Sequence, residues 1–357
     1  MNAALEAALY RTFHLNPCVA VHELRMRMRG WRPFGVLLVY VCVAIGAVLI
    51  ALIPLTLGRR YFGSEFFQIG RVAFATLAHT QLTLIMLILP AYAAGAIALE
   101  REKRTLEMLR ATLVTPFDVV TGKLVVVLAF GATLLISSLP VAAWCMMLGG
   151  IAPEEVFYSY SFLLMAALFV TGLGIVFSTM MKRSTGAVVA TYGILITLGV
   201  VSVVVPAIIM IPMYMSSGPP ALGPIAAFAI TLVLALVTGW LVFLGVRALV
   251  RRLRAVRGWL GLALGFVAPL GCMWYVIHPS GAIFQAIEKS QVPWLTMVNP
   301  YVALSSVMGG VLAQLTRSSG APGPTGPVLW AIICSFYLLA GAALWAGAVR
   351  LFARRRD

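Results

Sequence analysis

The stretch "AFATLAHTQLTLIMLILPAYAAGAIALEREKRTLEMLRATL", residues 73–113, contains the two features that decide the fold. Its first part, 73–98, has no Asp, Glu, Lys or Arg and exceeds the about 20 residues that a helix needs to cross a hydrocarbon core of about 30 Å. Its second part begins at Leu99 and is the densest run of charge in the chain. An apolar crossing is therefore followed at once by a short charged segment.

The composition extends the first feature to the whole chain. Of the 357 residues, 62% are hydrophobic and only 10% are charged, whereas soluble domains are about half apolar and about a quarter charged. Apolar runs long enough to span a membrane recur along the sequence, so we expect an all-α integral membrane protein with one polytopic domain at 34–357. Eight spans are expected, at 34–57, 73–98, 124–149, 157–180, 187–213, 223–247, 259–277 and 328–350.

The position of the basic residues predicts the orientation of these spans. The formal net charge is +15, and most Lys and Arg lie in short clusters beside apolar spans, as the positive-inside rule describes, rather than in the patches typical of nucleic-acid binding. Arg59, Arg60 and Arg71 are exceptions on the outer side. No signal-peptide pattern precedes the first span. We therefore expect a multi-pass protein of the cell inner (plasma) membrane that starts at Met1 and has both termini in the cytoplasm.

Residues 186–246 can be divided into spans in several ways, since the segment contains no Asp, Glu, Lys or Arg. Its break is "MSSGPPALGP", residues 215–224, where Gly and paired Pro end a helix. Two spans joined by a short turn fit best. Six or seven spans in total would require this segment to re-enter the membrane.

The segment before the first span, residues 1–33, predicts an amphipathic helix in the cytoplasmic headgroup layer. Asn16 and Pro17 suit its first turn. One face is apolar and another is basic, so membrane lipids are the expected partners. The alternative is a basic flank that only orients the first span. The residues of the two faces are Val21, Leu24, Met28 and Trp31, and Arg25, Arg29 and Arg32.

The predicted spans contain few polar residues that suggest chemistry. Thr76, His79, Thr80 and Thr83 recur at helical spacing, and they would line a translocation pathway or hydrogen-bond between helices. No metalloprotease, serine-hydrolase or phosphate-loop motif is present, because "TGK" at 121–123 is followed by Leu124 rather than by Ser or Thr. The five cysteines have no metal-ligand spacing. We therefore expect a protein that is not an enzyme and that binds no cofactor or metal itself.

The charged segment predicts a short amphipathic rod at the membrane face. Leu99, Leu106, Leu109 and Leu113 align on one helical face, and charged residues cover the remainder. Pro116 is expected to end this rod, before the next span. The alternative is an ordinary solvated hairpin between two spans.

This segment resembles the coupling-helix region of type-2 ABC exporter permeases, through the pattern E-x-E-x-x-T-L-E-x-L-x-A-T, then T-P, then G-K. The N-terminal "NP", "EL" and "RMRGWRPF" and, more weakly, "NPYVAL" at 299–304 are also similar to segments of that family. The residues that carry the main pattern are Glu100, Glu102, Thr105, Leu106, Glu107, Leu109, Ala111, Thr112, Thr115, Pro116, Gly122 and Lys123.

The resemblance implies a docking role for this helix. In the family it enters a groove of a separate ATPase subunit, so Leu106, Leu109 and Leu113 would pack into the groove. Glu102, Glu107 and Arg110 would pair with its rim. The chain departs from the family pattern at Arg104, where a Gly is common, and at Leu113, where a Pro is common. Eight spans instead of the usual six imply an added hairpin, most simply within 187–277.

The function implied is that of a permease subunit, which exports a substrate or transmits force across the membrane. ATP and Mg would be bound and used by the partner ATPase. A second copy of this chain or a sister permease would complete the pathway. The alternative is an ion-coupled secondary carrier or a channel that works without an ATPase, although its predicted spans have few of the ionisable groups that bind coupling ions.

Overall fold

The computed structural model describes residues 31–57, 66–104, 115–181, 183–198 and 326–354, together with 300–301, 303–304 and 307–308. All regular structure in these ranges is helical. Its helices are α1 (Trp31–Leu57), α2 (Phe66–Glu102), α3 (Pro116–Ser137), α4 (Leu139–Met147), α5 (Pro153–Met180), α6 (Ser184–Leu198) and α7 (Gly326–Arg354).

Five stretches of these helices are long and apolar enough to cross a membrane, which confirms the prediction of an all-helical, multi-pass membrane protein for the described residues. They coincide with the first four predicted spans and with the last. The stretches are Pro33–Ile53, Ile69–Glu102, Pro116–Met147, Pro153–Met180 and Trp330–Arg354.

Eight spans remain a prediction. The predicted span at 187–213 overlaps the described residues only in α6, a shorter apolar helix. The predicted spans at 223–247 and 259–277 lie outside the described residues.

The N-terminal amphipathic helix is also untested, because Val21, Leu24, Arg25, Met28 and Arg29 lie outside the described residues. Trp31, which we assigned to that helix, belongs to α1 and is 88% exposed. The membrane-spanning stretch within α1 is Pro33–Ile53.

The chain divides into two compact units, Met1–Val188 with Leu304–Asp357, and Val189–Ala303. In the first unit α5 packs most closely against α7 and α2, and α2 also packs against α1. Contacts at both ends of these helices show that α2, α5 and α7 run in one direction: Ser161 of α5 meets Trp330 of α7, and Ser178 of α5 meets Ile97 and Ala98 of α2. The helices α1, α3 and α4 run in the opposite direction.

The third predicted span, 124–149, is not one continuous helix. It is interrupted at Ser138, which separates α3 from α4. Pro140 has no N–H to donate to the carbonyl of Ile136, and its ring clashes with the preceding turn. The backbone N–H and the hydroxyl of Ser138 both donate to the Leu135 carbonyl, at 3.2 and 2.7 Å.

Candidate functional site

The end of α2 determines how the charged segment leaves the membrane domain. The N–H of Lys103 donates to the carbonyl of Leu99 at 3.0 Å, and that of Arg104 donates to the carbonyl of Arg101 at 3.1 Å. Arg104 has φ 57, a left-handed conformation that ends a helix and usually belongs to Gly. The helix therefore stops at Glu102, and the chain turns away.

The end of α2 at Glu102 corrects the predicted extent of the charged helix, but it does not test the predicted ATPase-docking residues beyond Arg104. Leu99 and Glu102 belong to the spanning helix α2, so a single uninterrupted rod from Leu99 to Leu113 was wrong, since a left-handed residue cannot continue an α-helix. The other residues assigned to ATPase docking lie outside the described residues, and their role remains a prediction. These are Leu106, Glu107, Leu109, Arg110 and Leu113.

The charged segment returns to the membrane domain at a well-defined helix start. Thr115 caps α3: its hydroxyl oxygen accepts from the N–H of Asp118 at 3.2 Å, and Asp118 Oδ2 accepts from the N–H of Thr115 at 3.3 Å. This reciprocal pair is a capping box. Pro116 is the first residue of α3, and the prediction that it ends a preceding helix concerns residues 105–114, which lie outside the described residues. The third span starts at Pro116 rather than at 124.

A buried ion pair joins the end of α2 to the start of α3. Lys123 Nζ lies 2.6 Å from Glu100 Oε1, and the Lys123 side chain is only 2% exposed. An ammonium group at this depth requires an anionic partner, since an uncompensated buried charge is strongly destabilising. The two ends of the charged segment are thereby held together.

The neighbouring Arg101 joins α2 to the end of α5. Its Nη1 atom donates to the Met181 carbonyl at 2.8 Å and lies 3.4 Å from the Thr179 carbonyl. Carbonyls at a helix C-terminus lack intrahelical donors and carry partial negative charge. A guanidinium with several donors in fixed geometry satisfies two of them at once.

Glu102, the last residue of α2, binds the start of α6. Its carboxylate accepts from the Ser184 N–H at 2.9 Å and from the Ser184 hydroxyl at 2.8 Å. A carboxylate at a helix N-terminus satisfies an unpaired N–H and interacts favourably with the helix dipole. Glu102 was predicted to pair with an ATPase rim, and in this structure its carboxylate contacts Ser184 of the same chain.

We call these three contacts, which involve Glu100, Arg101, Glu102, Lys123, Met181 and Ser184, the junction. Three successive side chains of α2 bind the ends of three other helices. The segment between α2 and α3 starts at this junction and returns to α3 about two turns before Lys123. A force on that segment would therefore act on several helices together. The sequence indicated the charges but not their partners, because those residues are far apart in the chain.

The four residues predicted to line a pathway all lie on α2 and bind its own backbone. The side chains of Thr76, Thr80 and Thr83 donate to the carbonyl four residues earlier at 2.7–2.9 Å. His79 Nδ1 lies 2.7 Å from the Ala75 carbonyl. Thr80 and Thr83 are buried, at 2% and 7% exposure. A pathway-lining role remains a prediction.

A second polar group in the spans was missed by sequence reasoning. Gln81 Nε2 donates to Ser138 Oγ at 2.8 Å and to Tyr160 Oη at 3.0 Å, and these two oxygens lie 3.1 Å apart. We call these three residues the central polar cluster. It joins α2, the α3–α4 break and α5. Gln81 was a visible signal, since an amide within an apolar span needs partners.

Comparison with known protein families and with curated proteins found no match for this chain. Its function is therefore argued from its own residues and their geometry.

Proposed function

We propose that the chain is the permease subunit of an ABC exporter, and that a separate ATPase drives it through the segment between α2 and α3. The junction is the observation that carries this proposal. It ties both ends of the charged segment to the helix bundle by an ion pair of 2.6 Å and by hydrogen bonds of 2.8 and 2.9 Å. The E-x-E-x-x-T-L-E-x-L pattern beginning at Glu100 adds support.

The proposed mechanism is mechanical and requires no chemistry in this chain. ATP and Mg bind to the partner subunit, whose closure displaces the segment at 103–114. The Glu100–Lys123 pair moves α2 and α3 together, and Arg101 extends the movement to the end of α5. Because the helices are tied at their ends, they reorient as a group between two states. A second copy or a sister permease forms the other half of the pathway, for export of a substrate or for force transmission.

The direct test is co-purification of a nucleotide-binding subunit. The tagged chain is purified from its native membranes in mild detergent, and bound subunits are photolabelled with azido-ATP. The double variant Leu106→Glu with Leu109→Glu places two charges on the predicted apolar face. It is expected to lower the labelled subunit by about tenfold or more, which corresponds to about 1.4 kcal/mol of binding free energy. The permease should still elute as a folded, monodisperse species.

The matched control is Leu351→Glu with Arg354→Glu, since both residues are exposed near the end of α7, on the same side of the bundle as the junction. This control should retain the labelled subunit. Retention of an active ATPase by the Leu106 and Leu109 variant would overturn docking at this segment. Transport by the purified chain that follows an ion gradient without any ATPase would instead establish the secondary-carrier alternative.

A further inference from the structure

The exposed face of α7 ends in two arginines that the junction does not use. Arg350 and Arg354 lie about one helical turn apart, on the same side of the bundle as the junction, and both are exposed. Neither forms a hydrogen bond or an ion pair with any residue that the structure describes. Two guanidinium groups are therefore open to a ligand from outside the chain.

The carboxylates that the structure describes at this end of the bundle are already engaged. Glu100 is held in the ion pair of the junction, Glu102 bonds the start of α6, and Asp118 belongs to the capping box of α3. None of these three groups compensates the charge of Arg350 and Arg354. An anionic ligand is therefore complementary to this part of α7.

Contacts with α3 show where Arg350 lies along the bundle. Trp345 Nε1 donates to Thr121 Oγ1 at 3.1 Å, and the Trp345 ring meets the Phe117 ring edge-on, with centroids 5.3 Å apart. Because α3 and α7 run in opposite directions, Arg350 is roughly level with Pro116, the first residue of α3. The spanning stretch of α7 has 25 residues, a length of about 37 Å that exceeds a hydrocarbon core of about 30 Å. The two arginines therefore reach the lipid headgroup layer.

An apolar strip on the same side of α7 leads to the two arginines. Residues at spacings of three and four share one side of a helix, and we call this set the α7 face: Phe336, Leu339, Ala343, Gly347, Arg350 and Arg354. Phe336 and Leu339 are 44% and 67% exposed, and a Cβ on Gly347 would meet nothing within 4 Å. From Leu339 to Arg350 the helix rises about 16 Å, close to half of a core of about 30 Å. The α7 face therefore matches one acyl chain of a single leaflet, with a headgroup at the arginines.

We propose that the α7 face binds an anionic phospholipid from the leaflet at the junction end of the bundle. Arg350 and Arg354 bind its phosphate, because the N–H donors of a guanidinium form a fork that matches phosphate oxygens. One acyl chain lies along the apolar strip. A headgroup without a positive charge is preferred, since choline or ethanolamine would be repelled by the arginines. This site does not involve the segment at 103–114, so it does not rest on ATPase docking.

A lipid suits the α7 face better than a soluble anion or a second copy of the chain does. A soluble anion would use the arginines and leave the apolar strip next to them without a role. A second copy related by a twofold axis would pack α7 against its own equivalent. That arrangement would bring two pairs of like charges together at Arg350 and Arg354.

The test photolabels the purified chain in mild detergent with phosphatidylglycerol that carries a diazirine in one acyl chain. Labelled residues are identified by mass spectrometry of peptides, and Kd is measured by displacement with unlabelled phosphatidylglycerol. The label is expected on α7 between residues 336 and 347. Phosphatidylcholine with the same chains should compete about tenfold less well. Arg350→Gln with Arg354→Gln should weaken phosphatidylglycerol binding by about tenfold.

Lys103→Gln with Arg104→Gln is the matched control. It also removes two exposed positive charges at the junction end, but at the end of α2, where they do not continue the α7 face. This variant should leave the Kd of phosphatidylglycerol and the position of the label unchanged. Equal weakening by the two double variants would overturn the proposal, because it would indicate a general attraction of anionic lipid to a basic surface.

Equal competition by the two lipids would also overturn the proposal, as would a label that lies away from α7. Competition by soluble glycerophosphate at the same concentration would show a phosphate site without a lipid chain, and it would overturn the proposal as well. If the arginine variant fails to fold, the comparison of the two lipids and the position of the label on the unaltered chain still decide. None of these outcomes depends on whether an ATPase co-purifies, so this proposal and the proposed function fail separately.

Discussion

The Glu100–Lys123 pair is unequal in its access to water. The Lys123 side chain is 2% exposed and that of Glu100 is 32% exposed. Loss of Glu100 takes the carboxylate from an ammonium that water does not reach, whereas loss of Lys123 leaves a side chain that is partly exposed, although its Oε2 atom is buried. We therefore expect Glu100→Gln to lower the free energy of unfolding by roughly 3 kcal/mol and Lys123→Met by roughly 1 kcal/mol.

Thermal unfolding of the purified variants in detergent measures this difference. The double variant Glu100→Gln with Lys123→Met should be less destabilised than Glu100→Gln alone, because it removes the buried ammonium together with the carboxylate. Equal losses from the two single changes would contradict the unequal exposure of the two side chains, and negligible losses from both would show that the pair does not hold α2 to α3.

Arg104 is the residue whose backbone conformation suits another amino acid. Its φ of 57 lies in the left-handed region, which costs a residue with a Cβ about 1 kcal/mol. Arg104→Gly should stabilise the protein by about 0.5 kcal/mol after the greater freedom of the unfolded chain is subtracted. Arg104→Val should destabilise it by at least about 1 kcal/mol, because its side chain is β-branched.

Lys103→Gly is the control for this change, since Lys103 is exposed and does not have a positive φ. It should not stabilise the protein, and the measurement is again Tm in detergent. A gain for Lys103→Gly equal to that for Arg104→Gly would attribute the effect to lost charge rather than to backbone conformation.

At the scale of elements, hydropathy located five of the predicted spans among the described residues but placed their ends poorly. The predicted span at 73–98 lies inside α2, which continues to Glu102 because charged side chains can remain helical where they find partners in other helices. The start of α3 at Pro116 is fixed by the capping box of Thr115 and Asp118. That signal is visible in the sequence, but the span boundary at 124 did not take it into account. The break at Ser138 also had a visible cause in Pro140. An average over apolar residues does not register either signal.

Close approach of α2 and α5 depends on a glycine. A Cβ on Gly174 would lie 2.6 Å from the Ala93 Cβ and 3.2 Å from the Ala94 nitrogen. Gly174→Ala should therefore separate the two helices and destabilise the protein by about 1–3 kcal/mol. Because α2 and α5 also meet at Ser178, the Arg101 contact at the junction should weaken with it.

Gly347→Ala is the matched control, because a Cβ on this α7 glycine meets nothing within 4 Å. Its helix propensity should rise, with a gain of about 0.5–1 kcal/mol. Thermal unfolding compares the two variants. A Gly174→Ala protein as stable as the Gly347→Ala protein would mean that α2 and α5 are not in backbone contact.

At the scale of the whole molecule, the directions of α5 and α7 limit how many spans can lie between them, a number that hydropathy left open. The chain leaves α5 at the end that carries the junction, and α7 begins at the other end, since Trp330 bonds Ser161 while Trp345 bonds Thr121. Because α5 and α7 run in the same direction, an odd number of spans must lie between them. The three spans predicted there satisfy this condition. Those three spans remain a prediction, because hydropathy alone does not divide a segment without charges.

The orientation in the membrane is testable with four exposed positions. Lys103 and Arg183 follow the ends of α2 and α5, Arg354 is the last residue of α7, and Glu154 lies at the start of α5. Each is changed to Cys after the five natural cysteines are replaced. An impermeant maleimide should label the cysteine at 154 on intact cells and the other three only after permeabilisation, because the basic ends are expected in the cytoplasm. Labelling at 183 and 354 from different sides would contradict the parallel course of α5 and α7. Reversal of all four would contradict only the cytoplasmic assignment.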